Sequence, residues 1–311
     1  MMGQPVSGTR PDHPTRTIAA AALLAALAVL AACGGGAGGP QSQTTTIQNK
    51  GSDTMVNVAQ AWAEEYKRVA PAVDVEVSGG GSGVGIAALL RGTVDIATAS
   101  RNMKAEEIEQ AKRNTGRTPH EVIVGYDALA VYVHQSNPIE SISIEQLADI
   151  FGERGATVNW SQLGVRIPGA SGDTIVRVSR QSSSGTYEFF RDHVMGNLDF
   201  KLGSRDMNGS KEVVELIGGT PTAIGYSGMG YATPAVKMLR IAARTGDPAF
   251  PPSVENTLNK TYPLARSLQL YTLGEPQGAV KAYIDWILSD AGQKIIEESG
   301  YVPLPPEQRN K

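Results

Sequence analysis

The chain has 311 residues, a net charge of −3, 41% hydrophobic and 19% charged residues, and a single cysteine. That length provides for one large or two medium domains of soluble composition. One cysteine excludes a disulfide framework, and the lack of any basic run argues against nucleic acid or an anionic membrane surface as a partner. At the N-terminus, Arg10 and Arg16 precede an unbroken apolar run from Ile18 to Leu30, followed by small residues. This is the layout of an export signal, and the run falls short of the roughly 20 apolar residues that span a bilayer.

The signal ends in Leu30-Ala31-Ala32-Cys33, which resembles a bacterial lipobox. Cleavage would remove residues 1–32 and leave Cys33 as a lipidated N-terminus. Loss of Arg10, Asp12 and Arg16 with that segment moves the net charge from −3 to −4. Residues 33–44, rich in Gly, Gln and Thr, have no apolar periodicity and read as a flexible tether. An exported protein with this charge would hold an anion through a few placed groups and not through a broad positive field.

The folded part begins near Thr45. A short β-like segment ends in the turn Lys50 to Thr54. Met55, Val58, Ala59, Trp62, Tyr66 and Val69 then recur at three- and four-residue steps, an amphipathic helix stopped by Pro71. Val73, Val75 and Val77 alternate as a strand, the glycine cluster Gly79 to Gly85 follows, and a helix is predicted over Val84 to Arg91. Asp95 to Thr98 reads as a strand and Lys104 to Arg113 as a helix. Strand, loop and helix repeated in this order predict a parallel sheet with helices on its faces.

Past a long β-like run, Ala128 to His134, the clearest unit is the strand Thr174 to Ser179, then Arg180 to Thr186, then a helix over Tyr187 to Met195. Ala223 to Tyr226 and Ser267 to Thr272 read as strands. Val280, Tyr283, Ile284 and Ile287 mark a late helix, and Asp247 to Pro252 a surface loop. No internal repeat is evident.

Four strand-to-helix junctions are rich in Ser, Thr and Gly: Gly51 to Thr54, Ser78 to Gly85, Ala99 to Arg101, and Arg180 to Thr186. In open α/β sheets ligands bind at the carboxyl ends of strands. Helix N-termini there offer unpaired N–H groups and partial positive charge to an anion. Hydroxyls add donors, glycine permits close approach, and arginine forks suit a tetrahedral oxyanion. Any one loop alone is an ordinary turn and cap; four of a kind point to one shared anion site.

Other chemistries lack equipment. Gly83 to Ala88 fits a relaxed G-x-G-x-x-A dinucleotide pattern, but no acidic residue ends a strand about 20 positions later. His13 lies in the signal, and His120, His134 and His193 are scattered without metal-like spacing. With no cysteine beyond Cys33, a nucleophile–base or metal constellation has little to build on, so neither enzyme activity nor a cofactor is expected.

At these loops the sequence resembles the phosphate-binding lipoproteins (PstS family) of bacterial Pst-type ABC transporters, in the periplasmic binding protein superfamily. The matching stretches include Gly51-Ser52-Asp53-Thr54, SGGGSGVG (Ser78 to Gly85), DIATASR (Asp95 to Arg101) and RQSSSGT (Arg180 to Thr186). AIGYSGMGY (Ala223 to Tyr231), Tyr262 to Arg266, and Gly300 to Leu304 also match. They run in the family's order from about residue 45 to the end.

The resemblance implies an α/β, two-lobed (type II) binding-protein architecture with two crossover hinge strands, near Ala128 to His134 and Arg266 to Tyr271. Lobe 1 would comprise 45–130 plus 266–311, and lobe 2 would comprise 131–265. Phosphate would sit between them, held by Ser52, Asp53, Thr54, Ser82, Ser100 and Arg101 from lobe 1. Lobe 2 would supply Arg180, Ser184, Gly185 and Thr186. Some family members carry, in place of Arg101, an aspartate that accepts the proton of hydrogen phosphate. Asp53 is the substitute acceptor here, unless it is only a helix N-cap. The implied partners are inorganic phosphate, ABC permease subunits and the membrane through the lipid anchor, with the protein itself a monomer. The rival readings are a carrier of sulfate, molybdate or tungstate, and an exported phosphatase.

Overall fold

The computed structural model describes residues 44–309; the export segment, Cys33 and the tether up to residue 43 lie outside them. In chain order the elements begin with β1 (Thr45–Gly51), α1 (Val56–Val69), β2 (Val73–Ser78), α2 (Ser82–Leu90), β3 (Ile96–Ala99), α3 (Ala105–Thr115) and β4 (Pro119–His134). Next come β5 (Ser141–Ser143), α4 (Ile144–Phe151), β6 (Val176–Arg180), α5 (Gly185–His193), β7 (Arg205–Met207), α6 (Ser210–Gly218) and β8 (Ala223–Gly228). The chain closes with β9 (Val236–Met238), β10 (Arg240–Ala242), β11 (Ala249–Phe250), α7 (Val254–Leu258), β12 (Ala265–Leu273), α8 (Gly278–Leu288) and α9 (Asp290–Glu298).

The main sheet runs β2-β1-β3-β12-β4-β8-β6-β7. Its first three strands are parallel, as the strand–loop–helix order predicts, and so are β8, β6 and β7. Between these two parallel groups lie β12 and β4, antiparallel to their neighbours. The result is a mixed, curled α/β sheet with two lobes. The first half of β4 pairs with β12, and Leu129 to Val133 pairs with β8, so one strand serves both halves.

β4 starts already at Pro119, well before the apolar run that announces it. Its first half hides from periodicity for a local reason. The register against β12 slips between Leu268 and Gln269, which leaves Val124 as an extra residue on β4, a β-bulge. The Val124 carbonyl is not orphaned, because Gln293 Nε2 donates to it at 3.0 Å.

Each half of the sheet is covered on both faces. On one face of the β1–β3 half, α1 buries Val58, Ala59, Trp62 and Tyr66 with Tyr283, Ile284 and Ile287 of α8 and Ile296 of α9. Each such side chain contributes about 1.5–3 kcal/mol by leaving water. Trp62 adds a bond from Nε1 to the Gly292 carbonyl, 2.8 Å, which fixes α1 to α9. The other face carries Ile86, Leu89, Ala111 and Met103. In the β8–β6 half, α6 covers one face through Val213, Val214 and Ile217. Phe151, Phe190 and Tyr226 pack on the other, Phe190 and Tyr226 stacked at 3.8 Å. The predicted surface loop Asp247 to Pro252 holds the two-residue strand β11 in a small separate sheet.

Candidate anion-binding site

The four Ser/Thr/Gly junctions leave the carboxyl ends of β1, β2, β3 and β6 and meet in one buried place between the two halves of the sheet. Ser52, Thr54, Ser82, Ser100, Arg180, Ser184 and Thr186 are all at most 2% exposed. Ser52 Oγ donates to Ser100 Oγ at 3.0 Å, and Ser82 Oγ lies 3.4 Å from Ser100 Oγ while accepting from its backbone N–H at 3.1 Å. Thr54 Oγ1 and Thr186 Oγ1 are 2.9 Å apart, from opposite halves. Buried hydroxyls are unpopular unless partnered. Here most of their partners are one another, which makes a compact cluster of orientable donors.

Two helix N-termini open onto the cluster. α2 begins at Ser82 and α5 at Gly185; Ser184 caps α5, its Oγ accepting from the N–H groups of Thr186 and Tyr187. The loops also touch directly. Gly83 N–H donates to the Ser183 carbonyl at 2.9 Å, and Ser183 Oγ to the Gly80 carbonyl at 3.1 Å. Glycine is required at these approaches. A Cβ on Gly81, whose φ is +101°, would stand 2.5 Å from the Ser183 oxygen. A Cβ on Gly185 would overlap Ser82 Oγ and lie 2.9 Å from Ser100 Oγ.

Arg180 is the buried cation of the site. Nη1 donates to Ser210 Oγ (3.0 Å), and Nη2 to Asp53 Oδ2 (3.0 Å) and the Asn208 carbonyl (3.1 Å); Nε, fully buried, has no partner among the described residues. Burial pushes its pKa down and the Asp53 charge opposes the push, yet a guanidinium stays protonated in proteins. Asp53 therefore faces Arg180 across the cleft while its other oxygen accepts from Gly80 N–H at 2.7 Å. It does not cap α1, whose N-cap is Met55 with no side-chain cap bond. Tyr231 and Tyr301 hold this turn by donating to the Asp53 and Thr54 carbonyls at 2.7 and 2.6 Å.

Arg101 departs from expectation. Nη1 and Nη2 each donate to Glu107 at 2.8 Å, and Nε lies 2.6 Å from Glu188 Oε2. Its fork is thus committed to two carboxylates, Glu107 and Glu188. Burial alone would lower its pKa, but these acidic partners outweigh it and raise it; burial likewise favours neutral Glu107, and Arg101 with the Lys104 N–H reverses that. Lys104 Nζ joins Glu188 at 2.8 Å, so the first half of the molecule grips α5 of the second by two cations on one carboxylate.

One buried arginine was not legible as a site residue. Arg266 on β12 sits opposite Asp127 on β4 and donates to its Oδ2 from Nε (2.9 Å) and Nη2 (2.7 Å). Its remaining N–H groups reach Thr186 Oγ1 (3.0 Å), Thr54 Oγ1 (3.2 Å) and the Ser100 carbonyl (3.3 Å). Its sequence signals are its place at the end of the matching stretch Tyr262 to Arg266 and at the start of the expected crossover Arg266 to Tyr271, and neither marks it as a ligand-site residue. Among the described residues no cluster of three or more His, Cys, Asp or Glu could hold a metal, and no helix is long and apolar enough to cross a membrane.

The chain is similar to known proteins in both sequence and fold. The sequence matches the PBP superfamily domain over residues 38–291. It is similar to the phosphate-binding protein PstS of Pseudomonas aeruginosa, 34% identical over 275 residues and covering 85% of each chain. Among solved structures it is similar to a phosphate ABC transporter substrate-binding protein with bound phosphate from Clostridium perfringens. There the identity is 30%, the TM-score 0.73, and coverage 84% of this chain and 100% of that one. An ABC-type phosphate transport receptor from Vibrio cholerae gives 28% identity, a TM-score of 0.65, and coverage of 83% and 100%.

Proposed function

Because the chain belongs to the PstS family of phosphate-binding proteins within the PBP superfamily, we propose that it captures inorganic phosphate outside the cytoplasmic membrane and delivers it to an ABC permease. The observation that carries this reading is the buried convergence of six loop hydroxyls, two helix N-termini and Arg180 from both halves of the sheet. Such a cradle supplies many N–H and O–H donors to one tetrahedral anion. The proteins it is similar to are phosphate-binding and substrate-binding proteins, which supports a cycle of binding and release. Ser52, Thr54, Ser82 and Ser100 on one side and Arg180, Ser184, Gly185 and Thr186 on the other would enclose the ligand. An anion touching both sides favours the closed arrangement and shifts the population towards it.

Selectivity over sulfate rests on Asp53. Near pH 7 phosphate always carries a proton and sulfate carries none, so a carboxylate accepts a bond from one and repels the other. Sites built for a ligand hydroxyl reject analogues lacking it by roughly 10⁴-fold. Asp53→Asn, which keeps an oxygen for Gly80 N–H, is expected to raise sulfate affinity relative to phosphate by at least about tenfold in competition titrations. A ratio unchanged within threefold would take Asp53 out of this role and reopen the sulfate, molybdate and tungstate readings.

The site is complete within one chain, which suits a monomer. Cys33 would carry the lipid that keeps it at the membrane. Cys33→Ser is expected to shift the protein from the membrane fraction to the soluble exported fraction. A wild type that fractionates as soluble, with Cys33 unmodified, would end the anchor proposal.

A further inference from the structure

Arg266 lies at the join of the two halves, on the strand that connects them, and touches loops from both. We infer that Arg266 is a positioning residue for the anion: from the hinge, it orients the hydrogen-bonded Thr54–Thr186 hydroxyl pair so that its remaining proton is donated towards the bound phosphate. The inference rests on the phosphate reading above and adds a residue to it.

The argument begins with what a guanidinium can do. It has five N–H donors and no acceptor, so any hydroxyl oxygen it touches must accept from it. Arg266 gives Nη1 to Thr186 Oγ1 and Nη2 to Thr54 Oγ1. One lone pair on each oxygen is thereby taken; the two hydroxyls, 2.9 Å apart, spend one proton on each other, and the other proton is left to be donated. A hydroxyl that accepts a charge-assisted bond also becomes a stronger donor, because bonds in a chain polarise one another in a low-dielectric interior. Without such a partner, either threonine could turn its lone pairs to the anion, which would be repulsive.

The aim of the fork is itself fixed. Asp127 holds Nε and Nη2, and its other oxygen accepts from Met229 N–H at 2.9 Å. The Arg266 and Asp127 side chains are 2% and 0% exposed, and the Phe189 ring lies 5.6 Å from the guanidinium carbon. Because Arg266 and Asp127 are cross-strand partners on β12 and β4, the pair travels with the hinge and not with either lobe's loops. Thr54 arrives from the loop after β1 and Thr186 from the start of α5, and both find the same fork when the halves meet. Arg266 therefore links donor orientation to closure.

The test is a double-mutant cycle read by calorimetric titration with inorganic phosphate. Arg266→Lys keeps the charge but offers three donors on one nitrogen in place of the five bonds of the planar fork; it is expected to weaken phosphate binding by ten- to a hundredfold. Thr54→Val/Thr186→Val removes the two hydroxyls at nearly constant shape. In that background Arg266→Lys is expected to cost less than threefold. An equal loss in both backgrounds would overturn the proposal, since the arginine would then act on the anion directly or on the fold. So would Arg266→Lys binding within threefold of wild type. Arg266→Gln/Asp127→Asn, which strands no buried charge, provides the same comparison should Arg266→Lys fail to fold. If the wild type takes up no phosphate, the functional reading fails by itself. The cycle is then run with whichever of sulfate or molybdate titrates, and the same coupling decides the role of Arg266.

Discussion

Gly185→Ala is expected to abolish tight phosphate binding while leaving the ligand-free protein at least as stable as the wild type. Gly185 opens α5, and at a helical position alanine is intrinsically better than glycine by about 0.5–1 kcal/mol. The cost arises only where the halves meet, since the added methyl would overlap Ser82 Oγ and crowd Ser100 Oγ, both from the opposite side of the cleft. The substitution should act as a wedge. A loss of at least about a hundredfold in phosphate affinity, about 2.7 kcal/mol, is expected by titration. The melting temperature without phosphate should be unchanged or slightly higher. Binding within tenfold of wild type would mean that the two loops do not approach this closely around the ligand.

Arg180→Ala should have a comparable effect through charge. Its buried Nε is a donor with no partner among the described residues, and the rest of the fork is already steered by Asp53, Ser210 and the Asn208 carbonyl. Losing a buried, charge-assisted bond to a ligand costs on the order of 2–5 kcal/mol, hence tens- to thousands-fold in affinity. Part of that loss comes from Asp53, which would keep its charge and lose its partner. Arg180→Ala binding within threefold of wild type would remove Arg180 from the site.

What could be read from the sequence was what is local in it. The loops Gly51 to Thr54, Ser78 to Gly85 and Arg180 to Thr186 announce themselves because cap, turn and close approach all demand Ser, Thr or Gly at adjacent positions. The α1 stripe of Val58, Ala59, Trp62 and Tyr66 was legible for the same reason. Arg101 misled because a residue beside Ser100 can face either way, and Glu188, on a helix of the other half, decides which. Arg266 stayed hidden because its meaning lies in its partner: only the pairing of β12 with β4 sets it against Asp127. The start of β4 was lost to the bulge at Val124. Asp53 was half legible, its place before α1 suggesting a side-chain cap, whereas Met55 holds the N-cap position and no side chain caps the helix.

The ion pairs around the cleft carry a consequence for kinetics. Arg180, Arg266, Arg101 and Lys104 face Asp53, Asp127, Glu107 and Glu188, so the cations are balanced one for one. On a chain whose overall charge is negative, such a cleft projects little field into solvent. Phosphate then arrives by unassisted diffusion, and raising the ionic strength has little long-range attraction to screen. Retention depends instead on short-range dipoles that act only after the anion has entered. The same neutrality denies chloride, the abundant spherical competitor, any general electrostatic advantage.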